Sequence, residues 1–109
     1  MKRRLALTIA LVASLGSPRL ALADASADAK ARYDGALRAF EERRFADAAA
    51  AFEEAYRIKP AYQVLFNLGN VYAALGRPVE SVDALDRYLA EGGAAIDAQR
   101  RADVNAEIE

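Results

Sequence analysis

A chain of 109 residues with 54% hydrophobic content, much of it alanine, has room for one small domain and reads as helical. It contains no cysteine, histidine or tryptophan, which excludes disulfides, thiolate or imidazole metal sites, and every catalytic dyad or triad built on Cys or His. The formal net charge is −1, but the charge is unevenly distributed along the chain.

Lys2, Arg3 and Arg4 are followed by the apolar run LALTIALVASL from Leu5 to Leu15, which Gly16 and Pro18 interrupt. Ala21 and Ala23 then place small residues where a signal peptidase reads them. Residues 1–23 are therefore predicted to be a signal peptide cleaved before Asp24, leaving a periplasmic or secreted protein. The eleven apolar residues fall short of the about 20 that a membrane-spanning helix needs, and Arg19 prevents an extension. The membrane is thus expected to matter only during export. Four of the fifteen basic residues lie in this segment and none of the sixteen acidic ones, so residues 24–109 carry eleven against sixteen, a net −5. The remaining basic residues are scattered among acids without an aromatic stripe between them, a pattern that argues against nucleic acid as a partner.

Residues 24–28 are small and polar and read as a disordered lead. Beyond them the chain matches itself at a shift of 33 residues: Ala36 falls on Gly69, Phe45 on Pro78, Ala48 on Ser81, Phe52 on Leu85, Ala55 on Tyr88 and Pro60 on Gly93. Each unit reads as two helices. Tyr33, Ala36, Leu37 and Phe40 share one face of the first, and the polar run Glu41 to Arg44 marks its turn. Ala48, Phe52, Ala55 and Tyr56 share a face of the second, which Pro60 stops. In the second unit Leu65, Leu68, Gly69, Tyr72 and Leu75 form the stripe and Gly76 ends the helix. Pro78 opens the next, in which Val82, Leu85, Tyr88 and Leu89 face inward until Gly92 and Gly93. Asp97 is the expected N-cap of a fifth helix whose apolar content is mostly Val104 and Ile108.

The spacing of Leu65, Leu68, Gly69, Tyr72, Gly76, Ser81 and Leu85, with Ala36, Phe45, Ala48, Phe52, Ala55 and Pro60 in the first unit, resembles the tetratricopeptide repeat, a helix-turn-helix unit. The resemblance implies an all-α right-handed solenoid: two repeats over residues 29–61 and 62–95 and a capping helix over 97–109. The chain reaches Glu109 without a helix stop signal, which suggests either a truncated form of a longer protein or a frayed terminus. Three departures stand out: Ser81 where the repeat has alanine, bulky Tyr88 where it has a small residue, and Gly93 in place of a proline. Gly69 is predicted to lie where the two helices of its unit meet, because glycine inside a helix costs about 1 kcal/mol against alanine and must be offset by close packing.

The resemblance further implies that the first helix of each unit lines a concave groove. By position, the groove residues are Lys30, Tyr33, Leu37 and Phe40 in the first unit and Gln63, Phe66, Asn70 and Ala73 in the second. Asn70 stands where peptide-binding members hydrogen-bond a ligand backbone, for which its amide has both donor and acceptor. Tyr33 and Leu37 stand where some members carry the lysine and asparagine of a carboxylate clamp, so that clamp is absent or incomplete. Tyr33, Leu37, Phe40 and Phe66 favour an apolar partner such as an amphipathic helix. The alternative is that these apolar residues are core, since they form the best stripe of their helix. The clusters at Glu41 to Arg44 and Gln99 to Arg101, and the acids Glu53, Glu54, Asp83 and Asp86, read as solvated faces. Gly92 and Gly93 lack the lysine and downstream pattern of a phosphate loop.

The function expected is a non-catalytic protein-protein interaction module without cofactor or small-molecule substrate, binding a peptide or partner helix in the cell envelope. The alternatives are a self-associating assembly element, such as a homodimer, or the adaptor fragment of a larger envelope protein.

Overall fold

The computed structural model describes residues 18–109. The basic and apolar parts of the expected signal peptide lie outside the described residues, and the expected cleavage point at Ala23 falls inside the first helix. Five α-helices follow in order: α1 (Pro18–Glu41), α2 (Phe45–Ile58), α3 (Tyr62–Ala74), α4 (Pro78–Gly92) and α5 (Ala98–Ile108), with a short 3-10 turn at Gly93–Ala95 between the last two. Each helix packs against the next in sequence, and there is no strand among the described residues. No described helix is long and apolar enough to cross a membrane.

Residues 24–28 are not a disordered lead; they belong to α1. The alternating alanines have the highest helix propensity, and Asp28 pairs with Arg32 one turn on, at 3.8 Å. Ser26 also accepts a hydrogen bond from Lys59 Nζ at 3.3 Å, and Ala29 is buried, so this stretch is anchored on the end of α2.

The 33-residue repeat seen in the sequence recurs in the turns. At the end of α1, Arg44 N donates to Ala39 O at 2.8 Å and Arg43 N to Phe40 O at 3.0 Å. At the end of α3, Arg77 N donates to Tyr72 O at 2.8 Å and Gly76 N to Ala73 O at 3.0 Å. Both are Schellman closures, which require a left-handed residue just past the helix. Gly76 supplies it at φ 69°, but the first turn uses Arg43 at φ 61°. The following helices begin alike, with Arg44 paired to Asp47 at 3.2 Å and Arg77 to Glu80 at 2.7 Å. A left-handed residue with a Cβ costs roughly 1–2 kcal/mol, partly offset in glycine by its freer unfolded state. Arg43→Gly is therefore expected to stabilise the protein by about 1 kcal/mol and raise its Tm by roughly 4–8 °C in thermal denaturation. An unchanged or lower Tm would contradict this account of the turn.

The first hairpin packs through small residues, Ala36, Ala39, Ala48 and Ala49, around Phe52, which is 1% exposed. The second uses Gly69 and Ser81. Ser81 Oγ donates to the Gly69 carbonyl at 2.8 Å, and a Cβ on Gly69 would lie 2.5 Å from Leu85 Cδ2. The serine standing in place of alanine thus fastens the two helices at the point where the glycine lets them meet. Tyr88, bulky where the resemblance led one to expect a small residue, is buried against Tyr62 and Phe66 at ring distances of 5.8 and 5.4 Å. Asp97 caps α5 by accepting from Arg100 N at 2.7 Å, and Val104 is fully buried with Ile108 packed beside the same core.

Candidate functional site

On α1, Lys30, Tyr33, Leu37 and Phe40 are spaced three, four and three residues apart; on α3, Gln63, Phe66, Asn70 and Ala73 repeat that spacing. At helical periodicity each set forms one stripe. Neither stripe is core: Lys30, Gln63 and Ala73 are exposed, Tyr33, Phe66 and Asn70 are half-buried, and Leu37 and Phe40 are each 36% exposed. The core reading of Leu37 and Phe40 therefore fails. Ala36 and Ala39, on the neighbouring face, take the buried positions toward α2 instead. Phe40 rests edge-on against Phe45 across the turn, with ring centres 5.4 Å apart.

Tyr33 is shared between packing and surface. Its ring meets Phe52 edge-on at 5.6 Å, while its hydroxyl accepts from Asn67 Nδ2 at 2.9 Å and so ties α1 to α3. Phe66 is held between the Tyr88 ring and the Arg100 guanidinium, whose carbon stands 4.6 Å over its face. This is a cation-π contact that brings the Arg100 side chain of α5 onto the second stripe.

Two adjoining clefts result. One, of about 220 Å³, is floored by Ala29, Ala55 and Val64, with Lys30, Lys59 and Gln63 at its rim. The other, of about 230 Å³, lies among Gln63, Phe66, Asn67, Tyr88 and Arg100. Tyr33 and Gln63 line both. Of the groove residues expected from the sequence, Lys30, Tyr33, Gln63 and Phe66 come together here. Leu37, Phe40 and Asn70 line neither cleft, and Ala73 faces a separate hollow with Pro78, Val82 and Glu107.

Asn67 and Lys59 join the clefts without having been singled out from the sequence, and Tyr88 and Arg100 join them although expected in other roles. Asn67 follows Gln63 by four residues, so the stripe itself could have found it. The cluster of Gln99 to Arg101 is not simply a solvated face. Gln99 pairs with Asp103, but Arg100 covers Phe66 and Arg101 donates to the Gly93 carbonyl at 2.6 Å, which fastens α5 to the end of α4.

Away from the clefts, two tyrosines join α2 to the second hairpin. Tyr72 donates to Glu53 at 2.5 Å; burial, and then that carboxylate, push its phenol up to about 12. Tyr56 donates to Glu91 at 2.5 Å and lies under Arg87; the hydrogen bond to Glu91, with burial, raises its phenol as well. Glu53 thus has a structural partner, while its neighbour Glu54 pairs with Arg57 one turn on.

Among the described residues no three or more carboxylates gather as a metal site. The clefts offer aromatic faces, amides, the phenols of Tyr33 and Tyr88, and three cations, Lys30, Lys59 and Arg100. Their volumes fall below the roughly 300–1,000 Å³ of small-molecule pockets, within which the hollow at Ala73, about 480 Å³, does fall. Comparison with protein-family models, with curated proteins and with solved structures finds no match to this chain.

Proposed function

We propose that the protein is a non-catalytic interaction module of tetratricopeptide-like architecture, exported to the cell envelope, that binds a peptide or partner helix along the stripes of α1 and α3. The observation that carries this reading is the pair of adjoining open clefts into which both stripes send side chains, with Tyr33 and Gln63 common to the two. Two Schellman turns repeated at a shift of 33 residues and the packing of each helix on its sequence neighbour support a solenoid. The basic and apolar opening of the chain supports export.

Binding would be by side-chain insertion beside Tyr33 and Phe66, with Asn67 and Gln63 fixing direction through hydrogen bonds. Asn70, nearly one turn beyond Asn67 on α3, extends the polar line for a longer ligand. The test is site-specific photo-crosslinking in the cell, with a photoreactive residue at exposed Gln63 or at exposed Asp83 on α4. A discrete cross-linked protein is expected from Gln63 and none from Asp83. No product at either position, or the same products at both, would refute the module.

A further inference from the structure

The geometry points to an acidic protein segment as the partner of the joined clefts: an aliphatic side chain seated over Ala29, Ala55 and Val64, with carboxylates on either side meeting Lys59 and Arg100. This inference rests on the interaction-module reading and names the class of partner. Its first support is an imbalance of charge. The chain holds sixteen acidic residues, none within 1–22, yet no Asp or Glu lines either cleft.

The second support is the pairing of the cations themselves. Lys30, Arg32, Arg44, Arg57, Arg77 and Arg87 all have a carboxylate within a few residues, as at Lys30 and Asp34, 2.8 Å apart. Lys59, Arg100, Arg38, Arg43 and Arg101 have none within 4.0 Å among the described residues, and of these five only Lys59 and Arg100 line the clefts. Lys59 is held only by the neutral Ser26 hydroxyl, and Arg100 only by the face of Phe66, so each keeps donors for an incoming anion. Lys30, already neutralised by Asp34, adds little.

The apolar floor completes the complementarity. A cavity of about 220 Å³ walled by alanine and valine accepts one aliphatic side chain and gives a partner its affinity, while the flanking charges set orientation and association rate. A basic partner would meet like charge at both ends, and its attraction to the acidic remainder of the domain would draw it elsewhere.

The experiment is selection from a randomised library of short peptides displayed against the purified protein, repeated with Lys59→Glu and Arg100→Gln. Enriched peptides are expected to carry Asp or Glu around an aliphatic residue and to bind more weakly as salt rises. Lys59→Glu, with unchanged circular dichroism, is expected to weaken the selected peptides roughly 3- to 10-fold. Enrichment of basic or uncharged peptides, no enrichment, or acidic peptides indifferent to both substitutions would overturn the acidic partner. A Gln63 cross-link obtained alongside any of these results would leave the interaction module standing, so the two readings fail separately.

Discussion

A protein carrying Gly69→Leu is expected to lose its second hairpin. The Cβ alone would fall 2.5 Å from Leu85 Cδ2 and 2.7 Å from its Cγ, and Leu85 is 3% exposed, with no free space into which to swing. The Ser81 carbonyl stands at ordinary contact distance, 3.5 Å from the same point, so the clash is with Leu85, and the further atoms of a leucine side chain must displace it or part the helices. Separation would break the buried bond from Ser81 Oγ to the Gly69 carbonyl. Replacing a mid-helix glycine recovers about 1 kcal/mol of propensity, but forcing methylenes into a filled core costs roughly 1–3 kcal/mol and more when backbone must move. A leucine side chain exceeds that gain by a wide margin in a domain whose whole stability is of the order of 5–15 kcal/mol. Thermal denaturation should show Tm reduced by roughly 10 °C or more, or a chain half-unfolded at the outset, with Gly69→Ala between it and the parent. An unchanged melting curve for the leucine variant would mean that α3 and α4 do not meet at this glycine.

Phe52→Ala is expected to have an effect of similar size by the opposite route, a void instead of an obstruction. Phe52 is 1% exposed among the alanines of the first hairpin, and loss of a buried phenylalanine costs about 3–5 kcal/mol. Because the Tyr33 ring rests against it, the void also frees Tyr33 to tilt and loosens the hydroxyl that Asn67 holds at 2.9 Å. A lower Tm should therefore come with a changed side-chain amide resonance of Asn67 in NMR spectra recorded while the chain is still folded. Phe40→Ala is the control. At 36% exposed it should cost far less, and equal losses from the two phenylalanines would contradict the placement of the core.

Helix ends were the most legible part of the fold because each is governed by a local residue type. Pro78 opens α4, Asp97 caps α5, Gly76 takes the left-handed position after α3, and Pro60 lies in the break between α2 and α3. The start of α1 was misread because polarity at residues 24–28 outweighed the helix propensity of their alanines, and because the contact of Ser26 with Lys59 spans 33 residues. Periodicity gave the inward stripe of α3, Leu65, Leu68, Gly69, Tyr72 and Leu75, whereas the groove residues were expected from the repeat resemblance, and of those eight Lys30, Tyr33, Gln63 and Phe66 line the clefts.

The clefts were legible only in half. Their remaining walls depend on where α5 lies relative to α3, and no spacing within one helix encodes the angle at which another crosses it. Arg100 was therefore grouped with its charged neighbours when its place is on Phe66. Tyr88 shows a related difficulty. Its size departs from the repeat, and only the presence of Tyr62 and Phe66 around it reveals the aromatic cluster that accommodates the ring.

The packing of every helix on its neighbour in sequence has a kinetic consequence. The main packing joins each helix to its neighbour in sequence, and the longer ties, such as Tyr33 to Asn67 and Tyr56 to Glu91, can form afterwards, so the entropy of loop closure is small at each step and the folding barrier is low. A chain emerging end-first, from a ribosome or a translocation pore, can close its first hairpin before the second has appeared. It can then use the exposed side of α2 as the template on which α3 docks. Such a protein is expected to fold within microseconds to milliseconds and to spend little time as a sticky intermediate.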